Sequence, residues 1–153
     1  MINKITVDTN ILFSAFLNTN SRIGQILLMG ARYYDFFAPH YIKIEILEHQ
    51  EKIKKFAQIT DDQFVELNHL VLRNIKILHH KVIPPKLYQK AEKLCHSIDL
   101  DDTPFIAITE YTQSKLWTGD KALINGLTKK GYDRVISTDD LFTDFLSKKK
   151  SGI

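Results

Sequence analysis

Short apolar runs alternate along the chain with segments in which apolar residues recur every three or four positions. Ile2 to Val7 reads as a buried strand, with Asp8-Thr9-Asn10 as its stop and a helix start. Helical patterning follows over Ile11 to Leu17 and Ile23 to Ala31, then a second strand over Tyr33 to Ala38, closed by Pro39. His40 to Phe56 is the clearest long helix, with Ile42, Ile46, His49, Ile53 and Phe56 as its apolar stripe. Thr60-Asp61-Asp62-Gln63 is a capping box, in which the Thr and Gln side chains satisfy each other's free amides, and it opens a helix to about Arg73. Ile75 to Leu78 reads as a strand, and Pro84-Pro85 starts a helix to about His96. Asp99 to Asp102 is a turn before a helix from Thr103 to about Gln113, with Pro104 in the first turn, where its missing N–H does no harm. Lys115 to Thr118 is a strand, Gly119-Asp120 a turn, and Lys121 to Lys130 a helix stopped by Gly131. Arg134 to Ser137 is a last strand, and Thr138-Asp139 caps a final helix. Strands alternating with helices predict an α/β fold, a three-layer α/β/α sandwich around a central, mainly parallel sheet. Ligands of such sheets bind at the carboxyl ends of the strands.

The chain has 153 residues, a common size for one domain. We read residues 1–147 as that domain and 148–153, which open with Lys148 to Lys150, as a basic tail. The formal net charge of +3 permits a nucleic-acid partner without demanding one. Lysine clusters at Lys52, Lys54 and Lys55 and at Lys129 and Lys130 read as solvated helix faces and ends. No apolar run reaches the roughly 18 residues of a membrane span. The segment from Met1 to Asp8 lacks a signal peptide's apolar region and cleavage site. Cys95 is the only cysteine, so no intrachain disulfide forms and a reducing cytoplasm is the expected setting.

Several chemistries are excluded by their missing motifs. There is no nucleophile elbow, no phosphate-binding P-loop and no dinucleotide-binding glycine turn. Cys95 reads as a half-buried structural thiol, and the histidines lack zinc-site spacing. His79-His80 reads as an exposed loop pair, with phosphate or metal binding as its alternative. The carboxylates are more informative. Asp8 and Asp120 both follow strands, so parallel strands place them on one sheet edge, and Asp102 opens a helix after an acidic turn. Each alone reads as a helix cap. Together they repel, which a fold avoids unless a cation bridges them. Glu45 falls on the apolar stripe of its helix, where a carboxylate is costly unless paired or metal-bound.

These segments resemble the PIN-domain family over nearly the whole chain. The likeness rests on Val7-Asp8-Thr9-Asn10-Ile11, on Ala38-Pro39 to Glu45-Ile46, on Asp101-Asp102-Thr103-Pro104-Phe105-Ile106-Ala107, and on Trp117-Thr118-Gly119-Asp120. The resemblance implies a compact α/β/α sandwich and a metal-dependent endoribonuclease, in some members the toxin of a toxin–antitoxin pair of the VapC type. Carried over by position, Asp8, Glu45, Asp102 and Asp120 would be both the catalytic and the metal-holding acids. Thr9 and Asn10 would support the first, and Thr118 would be the hydroxyl beside the fourth. Ala122 stands where many relatives carry another acid. Asp99 and Asp101 crowd the third position, and which of Asp99, Asp101 and Asp102 meets the metal stays open at this point.

An all-oxygen set suits Mg²⁺ or Mn²⁺. The implied reaction is in-line attack of an activated water on an RNA phosphodiester. The expected partners are RNA, an antitoxin protein and a second copy of the chain, with no membrane. The segment Phe64 to Leu72 offers Phe64, Leu67, Leu70 and Val71 as a dimer face or as core. The alternatives are an inactive RNA- or protein-binding module on the same fold and a housekeeping RNA-processing nuclease.

Overall fold

A computed structural model describes residues 2–152; Met1 and Ile153, the outermost residues of the expected domain and tail, lie outside the described residues. The strands are β1 (Lys4–Val7), β2 (Asp35–Pro39), β3 (Ile75–Leu78), β4 (Lys115–Trp117) and β5 (Val135–Ile136). They form one sheet in the order β3-β2-β1-β4-β5, with every neighbouring pair parallel. The helices are α1 (Thr9–Leu17), α2 (Arg22–Met29), α3 (Tyr41–Glu48), α4 (Gln50–Ala57), α5 (Asp61–Leu72), α6 (Pro85–Cys95), α7 (Thr103–Thr112), α8 (Lys121–Lys129) and α9 (Thr138–Lys150). The α7 helix lies on β1, β2 and β4 with α6 behind it, while α1 packs with α2, α4 and α5, and α9 joins α2. The architecture is the expected α/β/α sandwich. Because both faces are covered, the strands read as continuous apolar runs: Ile5, Val7, Phe36, Ala38, Leu116 and Trp117 are all buried.

The strand order reverses between β1 and β4, since β2 and β3 extend to one side and β4 and β5 to the other. Such a switch point opens a crevice at the carboxyl ends of the strands. The Asp8 amide continues the ladder there, donating to the Trp117 carbonyl at 3.1 Å.

Local signals set most boundaries. The Thr60–Gln63 capping box is formed in both directions. Gly131, with φ +75°, follows α8 in the left-handed region that favours glycine. Ser137, rather than Thr138 or Asp139, caps α9, accepting from the Asp140 amide.

The long helix expected over His40 to Phe56 is two. At His49 the backbone turns to φ −104° and ψ 11°, and its amide reaches the Glu45 and Leu47 carbonyls. His49 Nδ1 also bonds the Glu45 carbonyl, at 2.9 Å. After this break Ile53 still enters the core, but Phe56 is 62% exposed, so the stripe extrapolated through His49 fails at its last member. On α5, Phe64 and Val71 are core, with Phe64 stacked on Phe16 at 5.6 Å between ring centroids, so this much of the expected apolar face is already covered. The 147/148 boundary falls inside α9: Lys148 pairs with Asp144 at 2.8 Å and its ammonium lies 4.2 Å from the Tyr34 ring centroid. Among the described residues no helix is long and apolar enough to cross a membrane.

Candidate active site

The crevice at the switch point gathers the acids through two threonines. Asp8 ends β1, is 5% exposed and caps α1. Its Oδ1 accepts the Thr9 amide at 2.8 Å and its Oδ2 accepts the Thr118 hydroxyl at 2.6 Å. Both oxygens are therefore fixed in direction. The Thr9 hydroxyl points elsewhere, donating to Glu45 Oε1 at 2.8 Å, which brings α3 to the end of β1. Asp120 caps α8, accepting the Leu123 amide at 3.1 Å, and its own amide donates to the Thr118 hydroxyl at 3.1 Å. Thr118 thus joins the ends of β1 and β4. Asn10 is exposed, and its carbonyl accepts the Ser14 hydroxyl.

The acidic turn before α7 separates its three members. Asp99 is exposed and caps its own turn, accepting the Asp101 amide at 3.0 Å, and Asp101 is exposed. Asp102 stands at the start of α7 yet makes no capping bond there. Its Oδ2 is buried and has no hydrogen-bond partner among the described residues. A buried carboxylate oxygen left bare is costly, and native structures rarely leave one so without a ligand or water.

The electrostatics follow from this crowding. Burial pushes Asp8 up; the Thr118 and Thr9 hydrogen bonds oppose that rise, and Asp120 adds to it. Glu45 is raised by burial, eased by Thr9, raised by Asp8, and eased by His49. Asp102 is pushed up to about 7, by burial first and then by Asp8, Asp99, Asp120 and Asp101. Asp8 is thus the common neighbour of Glu45 and Asp102, and Asp102 is the one that keeps its proton near neutrality. Among the described residues, no set of three or more His, Cys, Asp or Glu side chains is arranged to hold an ion as it stands. The set is a coupled, partly protonated crevice.

Two neighbours were not singled out for the site by sequence reasoning. Tyr41 is raised by burial and then by Glu45, Asp101, Glu48 and Asp99, which places its hydroxyl in the acids' field. His49 sits one turn after Glu45 and lowers its pKa. The spacing of four from Glu45 on either side was the available signal. Cys95 is buried, with its thiol pushed up to about 11, mainly by burial, which suits packing rather than nucleophilic work.

Residues 6–139 match the family model described as PIN domain. The fold is similar to that in the crystal structure of VapBC2 from Rickettsia felis bound to a DNA fragment from their promoter. There the TM-score is 0.64 at 14% identity, over 88% of this chain and 96% of that one. It is also similar to PAE2754 from Pyrobaculum aerophilum, with a TM-score of 0.59 at 16% identity, over 96% and 98% of the two chains. No curated protein matches the sequence significantly.

Proposed function

The chain belongs to the PIN-domain family, and from that premise we propose that it is a divalent-metal-dependent endoribonuclease using Asp8, Glu45, Asp102 and Asp120. The observation that carries this reading is Asp102: a helix-start carboxylate that caps nothing, with a buried oxygen lacking a partner among the described residues, in the field of Asp8, Asp99, Asp120 and Asp101. A capping role accounts for Asp8 and Asp120 but not for Asp102. The donors are all oxygens, which fits Mg²⁺ or Mn²⁺. When bound, such an ion would neutralise phosphate charge and activate water.

The chain's own residues then have distinct tasks. Thr118 and the Thr9 amide hold the Asp8 carboxylate against rotation. The Thr9 hydroxyl turns Glu45 toward the crevice, and the Leu123 amide orients Asp120. Asp102 would have to give up its proton to hold a cation, because a carboxylate binds one only when deprotonated. Without a cation the crevice would repel phosphate.

The likeness to VapBC2 supports a role as the toxin of a toxin–antitoxin pair, acting in the cytoplasm with a small antitoxin as partner. Light scattering checks the homodimer that the family resemblance also implies, and a monomeric mass at high concentration removes it. The deciding experiment is cleavage of a single-stranded RNA with Mn²⁺, with EDTA, and with Asp102→Asn. Cleavage should require Mn²⁺ and vanish in the variant. Full activity in Asp102→Asn would overturn the assignment.

A further inference from the structure

At the ends of β2 and β3 the chain gathers rings beside the acids. His40 follows Pro39, His79 and His80 follow Leu78, and the His40 amide donates to the Leu78 carbonyl at 2.9 Å. The ring centroids of His40 and His79 are 5.6 Å apart and those of His79 and His80 are 4.3 Å apart. With Tyr41, Tyr88 and Pro104 they line a cavity of about 320 Å³. That volume is near the low end of small-ligand pockets, roughly 300–1,000 Å³. Tyr41 lies one helical turn before Glu45, and Pro104 lies two residues after Asp102, so the cavity adjoins the acidic crevice.

We propose that this cavity seats one nucleobase of the RNA next to the scissile phosphate, stacked on the His79 and Tyr88 rings; this rests on the nuclease reading above. Its chemistry favours a base over an anion or a metal. His79 Nδ1 accepts the Lys81 amide at 3.2 Å, which puts the ring proton on Nε2 and leaves the ring neutral. Desolvation, and then His80, Lys81 and His40, push His79 below the ordinary histidine range in the same direction. A neutral imidazole offers a π face and one N–H donor, which matches the face and edge of a base. A phosphate would seek charge instead. The three histidines form no metal-holding set among the described residues. Single-stranded RNA presents unstacked bases to such surfaces.

The test is an NMR titration of the full chain in EDTA with adenosine 5′-monophosphate, uridine 5′-monophosphate and ribose 5-phosphate, following the His79 and Tyr88 ring signals. The nucleotides should shift these signals and ribose 5-phosphate should not. Equal shifts from ribose 5-phosphate would make the cavity a phosphate site, and no shift from any probe would leave it without a ligand; either overturns the proposal. His79→Ala should weaken nucleotide binding about fivefold to hundredfold, the scale of one lost base–ring stack. His79→Phe, which keeps a π face, should restore most of it. Unchanged affinity in His79→Ala, or no rescue by Phe, overturns the stacking role. The RNA-cleavage assay separates the two readings. Nucleotide binding without any cleavage removes the nuclease and keeps the cavity. Metal-dependent cleavage without nucleotide binding removes the cavity and keeps the nuclease.

Discussion

Replacing Asp102 with Asn in the metal-free protein should raise its stability, and by an amount that pH controls. Asp102 rises from 3.8 to about 7 in the folded chain. A rise of about 3 pH units corresponds to roughly 4 kcal/mol, at about 1.4 kcal/mol per unit. The side chain is only part-buried, so solvent screening brings this to about 2 kcal/mol. Below about pH 4 Asp102 is neutral both folded and unfolded, and Asn brings no advantage. From about pH 4 to 7 the unfolded chain releases its proton while the folded chain keeps it, so the wild type loses stability as pH rises. The variant has no such loss, and its advantage levels off above about pH 7. For a domain of this size about 2 kcal/mol corresponds to roughly 4–8 °C in Tm. The assay is a pair of thermal melts in EDTA at pH 4 and pH 7.5, repeated with saturating Mn²⁺. With Mn²⁺ the order should reverse under the proposed reading, because the ion would stabilise the wild type by mass action and the variant would lack a proposed ligand. Superimposed melts at pH 7.5 in EDTA, or the same gain at both pH values, would refute the coupling of these acids.

Mn²⁺ affinity measured by calorimetry should rise with pH up to about 7 and flatten above it, with proton release on the lower side, since Asp102 must ionise to bind. Thr118→Val removes the 2.6 Å bond to Asp8 and should weaken metal binding about 10–100-fold, read by the same titration. Asp120→Ala should cost about 1 kcal/mol in urea melts by uncapping α8, whereas Asp120→Asn keeps the cap and loses RNA cleavage. Gly24→Ala should cost about 1–3 kcal/mol, because a Cβ there would stand 2.3 Å from the Thr19 carbonyl oxygen, and backbone yields less readily than a side chain.

The sheet and its acids were readable because each strand is a short, mainly apolar run that stops at a polar residue or a proline. Val7-Asp8 and Trp117-Thr118-Gly119-Asp120 carry position and chemistry in one place. Glu45 was readable as a carboxylate on an apolar stripe, and the Thr9 bond gives it a partner. What periodicity could not show is where a helix breaks without Gly or Pro. His49 does so through a ring nitrogen on the Glu45 carbonyl, and the extrapolation to Phe56 failed for that reason. Which of Asp99, Asp101 and Asp102 lies buried beside Asp8 was equally closed to sequence. It depends on Asp99 turning back to the Asp101 amide while Asp102 is left beside Asp8, which is a matter of loop geometry. The ring cluster at His40, Tyr41 and His79 is assembled from two strand ends and has no local pattern.

The order of the strands also governs when the crevice comes into being during synthesis. Asp8 is among the first residues made, yet the hydroxyl that fixes its Oδ2 belongs to Thr118, 110 residues later. Until β4 has been made, β1 lacks the neighbour on that side, and Asp102 and Asp120 arrive only with the last third of the domain. A nascent or prematurely terminated chain therefore carries Asp8 and Glu45 with nothing to complete them. Under the nuclease reading proposed above, a chain made beside ribosomal, messenger and transfer RNA would lack its complete crevice until it is nearly whole.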